Sequence, residues 1–315
     1  MRARSLIAVF ATLFGMSSAA AEWPEKPVRL IVPYPAGGAA DLPARIMSEG
    51  LQRKLGKPVV VENRAGAAGQ IGTESAVRAQ PDGYTFYCGP NAPYILLPLL
   101  RQTSYTAADL VPIAPFGELV YGVGVLTSFP ANDMKELQAY AKSKPGKLSF
   151  SSPGAGSATH LRMETFNLMA GTKITHIPYR TGAEAIPDLL AGRLDMMHDN
   201  IFFPQVRLGN VKMLGVLSTR RHPEFPSVAT FAEQGFPIEL PVIGGFFAPV
   251  GTPRDIIDKL AKVVNELNAE PETMERQLKI GWVSYQATPE EMAAQVASHA
   301  KAYKDWVQKA NFKLE

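Results

Sequence analysis

Cysteine is almost missing from this chain. Cys88 stands alone among 315 residues, so neither an internal disulfide nor a cysteine-bound zinc site can form. Histidine is sparse as well: His160, His176, His198, His222 and His299 show no H-x-x-x-H or H-x-H pairing. The usual metal patterns are therefore absent, and no metal and no cofactor are expected. No sign of charge dominates. Lys and Arg number 32 against 29 Asp and Glu, too weak a bias to imply a nucleic-acid partner or a polybasic membrane patch. No G-x-S-x-G nucleophile elbow occurs, so an α/β-hydrolase lacks its signature. With 46% hydrophobic and 19% charged residues the composition is globular, and the length suggests roughly two domains.

The one sustained apolar run is at the front. Arg2 and Arg4 precede Leu6 to Met16, and Ser17-Ser18-Ala19-Ala20-Ala21 follows. A basic start, a short apolar stretch and small residues predict a secretory signal peptide over 1–21, cut between Ala21 and Glu22. The run falls short of the roughly 20 residues a membrane span needs. No cysteine follows it, so a lipid anchor there is not expected. Removing Arg2 and Arg4 leaves 30 bases against 29 acids, and the expectation is a nearly neutral, soluble protein of the periplasm.

The rest of the chain alternates strand and helix signals. Val28 to Val32 reads as a buried strand, and a helix from about Ala40 sets Leu42, Ile46, Leu51 and Leu55 on one face before Gly56 and Pro58 stop it. Further strands are predicted at Val59 to Val61, Thr85 to Cys88, Leu148 to Ser151, Thr175 to Tyr179, Asp195 to His198 and Val211 to Leu217. Helices are predicted from Asp133, from Ser157 to Gly171 and over Ala183 to Ala191. Two more start at Thr252-Pro253 and Thr288-Pro289, the last reaching Trp306. The alternation predicts α/β architecture with mainly parallel sheets.

An internal echo stands out. Pro35-Ala36-Gly37-Gly38-Ala39-Ala40-Asp41-Leu42 is matched by Pro153 to Leu161, each after an apolar strand and before a helix. Either two Gly-rich turns happen to look alike, or two lobes each present a helix N-terminus. Such a terminus offers unpaired N–H groups and partial positive charge, which suits a carboxylate without any Lys or Arg. Gly154 to Thr159 approaches a dinucleotide fingerprint but lacks its third glycine. Ser157, His160 and Asp199 are the residues a hydrolase would use. Neighbours on one helix face rarely make a nucleophile–base pair, so a non-enzymatic role is preferred.

In order and spacing, these segments resemble the periplasmic solute receptors of tripartite tricarboxylate transporters, the Bug receptors. The resemblance rests on Pro-Val-Arg-Leu-Ile-Val-Pro-Tyr-Pro-Ala-Gly-Gly-Ala-Ala-Asp at 27–41, Val-Glu-Asn-Arg-Ala-Gly-Ala-Ala-Gly-Gln-Ile-Gly at 61–72 and Pro-Asp-Gly-Tyr-Thr at 81–85. It continues through Ser-Pro-Gly-Ala-Gly-Ser-Ala-Thr-His-Leu at 152–161, Ile-Pro-Tyr-Arg-Thr-Gly-Ala-Glu-Ala at 177–185 and Leu-Leu-Ala-Gly-Arg-Leu-Asp-Met-Met-His-Asp-Asn at 189–200.

The resemblance implies a two-lobed binding protein with two crossovers that closes on its ligand like a flytrap. Lobe 1 would comprise 23–122 plus 246–315, and lobe 2 would comprise 123–245. It implies capture of a small organic acid, a di- or tricarboxylate or an aromatic carboxylate, and delivery to the large and small membrane subunits of a permease. A monomer is expected; a receptor feeding a sensor kinase is the other non-enzymatic reading. Carried over residue by residue, the first-lobe contacts are Tyr34, Pro35, Gly38, Ala39, Ala67, Gly69 and Gln70. Those of the second lobe are Ser152, Gly156, Ser157, Ala158, Thr159, Tyr179, Arg180, Thr181, Gly182 and Asp199. Arg180 replaces the family's usual Lys, Gln70 a common Asn and Tyr34 a frequent Phe, so the pocket is varied. Asp41 reads first as helix-start charge and capping, and second as a ligand contact.

Overall fold

Aliphatic and β-branched runs become inner strands where helices cover both sheet faces. In the computed structural model, which describes residues 23–218, 221–238 and 242–310, β1 (Val28–Val32) leads to α1 (Asp41–Leu55) and β2 (Val59–Asn63). A 3-10 turn at Ala67–Gly69, α2 (Gln70–Val77) and β3 (Thr85–Pro90) follow. Short helices α3 (Ala92–Ile95) and α4 (Leu97–Leu100) precede β4 (Leu110–Leu119) and, one residue later, β5 (Tyr121–Leu126). The middle contains α5 (Met134–Ser143), β6 (Leu148–Ser152), α6 (Ala158–Ala170) and β7 (Ile174–Pro178). It goes on through α7 (Gly182–Leu190), β8 (Met196–Asp199), α8 (Phe203–Arg207) and β9 (Val211–Leu217). The chain then forms β10 (Ile243–Pro249), α9 (Arg254–Asn268), α10 (Pro271–Lys279), β11 (Trp282–Val283) and α11 (Pro289–Ala310). The expected signal peptide lies outside the described residues. Among those residues, no helix is long and apolar enough to cross a membrane.

Two sheets result, one in the order β11-β4-β10-β3-β1-β2 and the other β7-β6-β8-β5-β9. They share a plan. β1 lies between β2 and β3 in parallel, and β6 lies between β7 and β8 in parallel. An antiparallel strand then flanks each trio, β10 beside β3 and β5 beside β8. The loop echo is thus a topological one, since each copy joins the central strand of a parallel trio to its first helix. The chain passes to the second sheet at Val120 and returns over 218–242. Strands bordering those crossovers run antiparallel, so both sheets are mixed rather than mainly parallel.

Most local signals meet their physical purpose. Gly56 ends α1 at φ 67°, and Gly171 ends α6 at φ 65°, both in the left-handed region that glycine tolerates. Thr288 and Glu291 form a reciprocal capping box at the start of α11, which runs past Trp306 to Ala310. Several details differ, and β5, α8, α10 and β11 are not among the predicted elements at all. The buried face of α1 is Pro43, Ala44, Met47 and Leu51, with Leu42 and Ile46 only half-buried, because small residues let the helix sit close to its sheet. Thr252 does not cap α9; its hydroxyl donates to the Pro249 carbonyl, and Pro253 occupies the cap. β4 and β10 escaped the sequence reading because Pro112, Pro115, Gly244 and Gly245 imitate loops. Register shifts at Gly244/Gly245 and Phe246/Phe247 absorb them.

The first sheet's core gathers Phe86, Tyr87, Tyr94, Phe246 and Phe247 from the two faces of the sheet, in one cluster with the buried Ile256, Leu260, Val264 and Leu267 of α9. Each such side chain contributes about 1.5–3 kcal/mol before entropy is counted. Backbone approaches closely at Gly72 in α2, where an added Cβ would stand 2.5 Å from Pro33 Cα and 2.7 Å from the Arg64 carbonyl oxygen. Both obstacles are backbone. Gly72→Ala is therefore expected to lower the unfolding free energy by about 2 kcal/mol, measured by urea denaturation; an unchanged midpoint would show that the strand and helix can separate freely.

Candidate ligand site

β1, β3, β6, β7 and β8, from both sheets, end at one cavity. The first sheet contributes Tyr34, Pro35, Gly38 and Ala39 from the loop after β1, with Pro90 and Ala92 after β3. Ser157, Ala158 and Thr159 follow β6, Arg180, Thr181 and Gly182 follow β7, and Asp199 ends β8. Such placement at strand C-termini is where open α/β sheets bind ligands.

Three helices begin here. No side chain caps α1; the Asp41 and Leu42 N–H groups donate to the Gly38 carbonyl, and among the described residues no acceptor meets those of Ala39 or Ala40. In α6 the Ser157 hydroxyl accepts only the His160 N–H, and in α7 the Thr181 hydroxyl accepts that of Glu184. Among the described residues the N–H groups of Ala39 and Ala40 just before α1, and the first two of α6 and of α7, meet no acceptor and are left at the cavity end. Together they form a positive, neutral-bodied surface fit for an anion.

The first loop is fixed from behind. Asp41 Oδ2 accepts from the Gly37 N–H and from Arg45 Nε, each at 2.8 Å, while Oδ1 accepts from Asn63 Nδ2 at 2.8 Å. Asn63 Nδ2 also donates to the Tyr34 carbonyl at 3.0 Å. Asp41 is thereby occupied in holding the loop. Burial pushes its carboxyl upward, but the bonds from Arg45, Gly37 and Asn63 outweigh that and hold it below the ordinary value. From the far end of the chain, Trp282 Nε1 donates to the Ala39 carbonyl at 3.0 Å.

The second loop rests on stacked imidazoles. Ser152 Oγ shares a 2.5 Å hydrogen bond with His176 Nε2, and His176 stacks on His160 with ring centroids 4.0 Å apart. His160 Nδ1 accepts the Gly156 N–H at 3.1 Å. Burial holds both rings neutral, with pKa values lowered to about 4, and the proximity of His176 adds to the effect on His160.

The structure therefore divides the expected site. Tyr34, Pro35, Gly38, Ala39, Ser157, Ala158, Thr159, Arg180, Thr181, Gly182 and Asp199 line the cavity; Ala67, Gly69, Gln70, Ser152, Gly156 and Tyr179 do not. Ser152 and Gly156 brace the second loop. The Ala68 carbonyl accepts the Tyr34 hydroxyl and the Ala67 carbonyl accepts Arg101, so the 67–70 turn lies behind Tyr34. Gln70 donates to Glu74 on its own helix, and the Tyr179 hydroxyl donates to Asp188 at 2.6 Å. Sequence reasoning missed Ala40, Pro90, Ala92 and Pro153, as well as Leu119, Tyr121, Val242 and Trp282 around the crossovers. Apart from the neighbours of known loops, these are ordinary apolar residues with no local signal.

Asp199 is the cavity's buried acid. Its carboxyl is pushed up to about 6 by burial, against two backbone N–H bonds from Asn200 and Ile201. Arg180 stands exposed at the rim. A hydrolytic triad does not assemble: Ser157 Oγ caps the helix, His160 Nδ1 faces Gly156, and Asp199 turns to its own backbone.

The sequence description of the tripartite tricarboxylate transporter family receptor matches residues 43–312. The chain belongs to that family. Among its relatives, a UPF0065 protein of Bordetella pertussis is 37% identical over 274 residues, covering 85% of each chain. BugT of the same organism is 33% identical over 100% of this chain and 99% of its own. The structure of the periplasmic binding protein BugD superposes with a TM-score of 0.85 at 33% identity, covering 93% of this chain and all of that one. R. palustris Rpa4515 with adipate gives a TM-score of 0.86 at 28% identity, covering 92% of this chain and 99% of that one. MatC of Rhodopseudomonas palustris with bound malate gives 0.83 at 27%, covering 90% and 100%. This receptor thus has the two-lobed fold of periplasmic binding proteins.

The support that Asp41 gives its loop has a pH signature. Because the folded carboxyl is held low, its stabilisation is complete above about pH 4 and disappears as pH falls through the folded value. Asp41→Asn is expected to cost about 1.5 kcal/mol at pH 7, with the difference from the parent shrinking in acid. Urea titrations at both pH values measure it; an equal deficit at each would mean that the charge contributes nothing.

Proposed function

We propose that this receptor captures a small organic acid between its lobes in the periplasm and passes it to the large and small membrane subunits of a cognate permease. One observation carries the reading: three helix N-termini, from both sheets, open on a single cavity with no Lys and only a rim Arg. The two solved relatives bound to adipate and malate support a carboxylate as the cargo. Family membership supports export, and the leader-like residues 1–21 agree with it. The site works by binding, as a monomer, without cofactor or catalysis. Its moving units are the two sheets with their helices, expected as 23–122 with 246–315 and 123–245; β5 belongs whole to the second and β10 whole to the first, which puts one pivot at Val120 and the other just before β10. Contacts to the ligand are assigned to the expected residues that line the cavity, with Ser152, Gly156, Tyr179, Ala67, Gly69 and Gln70 acting from behind. A thermal-shift screen with organic acids, run beside an esterase assay, tests the class; turnover abolished by Ser157→Ala would replace this reading with a hydrolase.

Ligand-driven closure should shrink the molecule. Small-angle scattering at saturation with the acid found in that screen is expected to give a smaller radius of gyration, and an unchanged profile would argue against a flytrap. Recognition by backbone rather than by cations orders three variants. An added Cβ at Gly38 touches only the Pro35 carbonyl oxygen, at 3.2 Å, so a valine there projects into the ligand's space. Gly38→Val is expected to cost about 3 kcal/mol of binding, and Arg180→Ala about 1 kcal/mol because its charge is exposed. Arg64 pairs with Glu62 away from the cavity, and Arg64→Ala should bind like the parent. Calorimetric titration measures the order; a folded Gly38→Val that binds normally would remove the first loop from the site.

A further inference from the structure

Asp199 presents an unusual half-filled carboxylate. Oδ1 accepts the N–H groups of Asn200 at 2.7 Å and Ile201 at 3.2 Å. Among the described residues no donor reaches Oδ2, although the residue is only 6% exposed and lines the cavity. Oδ2 lies 2.5 Å from where a Cβ on Gly182 would stand, so it sits against the start of α7, whose first two N–H groups meet no acceptor among the described residues. An acceptor and a set of donors therefore meet at one end of the cleft. A plain carboxylate satisfies the donors and collides electrostatically with Asp199. A hydroxyl or a neutral carboxyl satisfies both, accepting from the helix and donating to Oδ2.

We infer that Asp199 sets the specificity of this cleft: it selects acids whose second-lobe end carries a hydroxyl, and admits a plain carboxylate there only together with one proton. The inference rests on the organic-acid reading above. The surrounding groups do not neutralise Asp199. From β5, paired to it through Gly122, comes the phenol of Tyr121, which burial and then the nearby Asp199 keep protonated. Arg162 of α6 stacks on the Tyr121 ring at 4.3 Å, and the influences on the Asp199 carboxyl are burial and the Asn200 and Ile201 N–H groups. Before and within α7 stand Arg180, exposed at the rim, and Glu184, which accepts the Arg180 N–H. Behind β8's end, His198 is held neutral by burial, and on the first-sheet side Asn200 donates to the Ile280 carbonyl. Burial places the Asp199 carboxyl at about 6, so it is ionised at pH 8 and within reach of a proton near neutrality.

Calorimetric titration with succinate against malate, and glutarate against 2-hydroxyglutarate, tests this on the parent and on Asp199→Asn. The amide keeps an oxygen for Asn200 and Ile201 and offers a donor to the cavity, imitating the protonated acid. At pH 8 the parent should bind the hydroxy acid at least tenfold more tightly than its plain partner. Its affinity for the plain acid should rise by up to about tenfold per pH unit between pH 8 and 6, the limit for one proton taken up. Asp199→Asn should bind the plain acid more tightly and lose both the discrimination and the pH slope. Should that variant fail to fold, proton uptake by the parent, read from heats in buffers of different ionisation enthalpy, decides: near one for succinate supports the inference, and zero overturns it. Equal binding of both partners with no proton uptake overturns it while leaving the receptor intact. Failure of all four acids to bind the parent overturns the organic-acid reading, and this inference with it.

Discussion

The proposed anion site, built almost without cations, has to keep backbone N–H groups unpaired and aimed at one point. Unpaired N–H groups are costly when buried, and the start of a helix is where a chain supplies them as a matter of geometry. The remainder of this structure serves that constraint. Central strands β1 and β6 bring their helices to the cavity from opposite sheets, and small residues at Gly38, Ala39 and Ala158 keep the backbone reachable.

Side chains that look like ligand contacts are mostly used to hold those loops still. Asp41 ties the first loop to Arg45 and Asn63, while Ser152 and the stacked His160 and His176 hold the second. A loop that must present bare N–H groups cannot be braced from the ligand side, so its bracing polar groups lie behind it. This explains why Asp41, Asn63, Ser152, His160 and His176 fall outside the cavity wall, while Ser157, Thr159, Arg180, Thr181 and Asp199 line it.

The two halves also meet through a strap from the far end of the chain. The Gly281 carbonyl accepts the Val120 N–H at the crossover, Ile280 accepts Asn200 beside Asp199, and Trp282 reaches the Ala39 carbonyl. One short segment therefore touches a crossover, the end of β8 and the loop after β1.

Local chemistry was enough to read much of this protein from its sequence. Gly56 and Gly171 as helix stops, Thr288 with Glu291 as a helix start, and the repeated Gly-rich junctions are signals whose physics is complete within a few residues. The family resemblance followed from the order of those signals. Only the tertiary structure decided which residues share the cavity. Tyr121, Leu119, Val242 and Trp282 come together because two crossovers and a returning strap pass the same place, and nothing in an isolated Leu or Val records that. Likewise β4 and β10, rich in Pro and Gly, are strands because each finds pairing partners far along the chain, a long-range gain in hydrogen bonds that overrides weak local propensity.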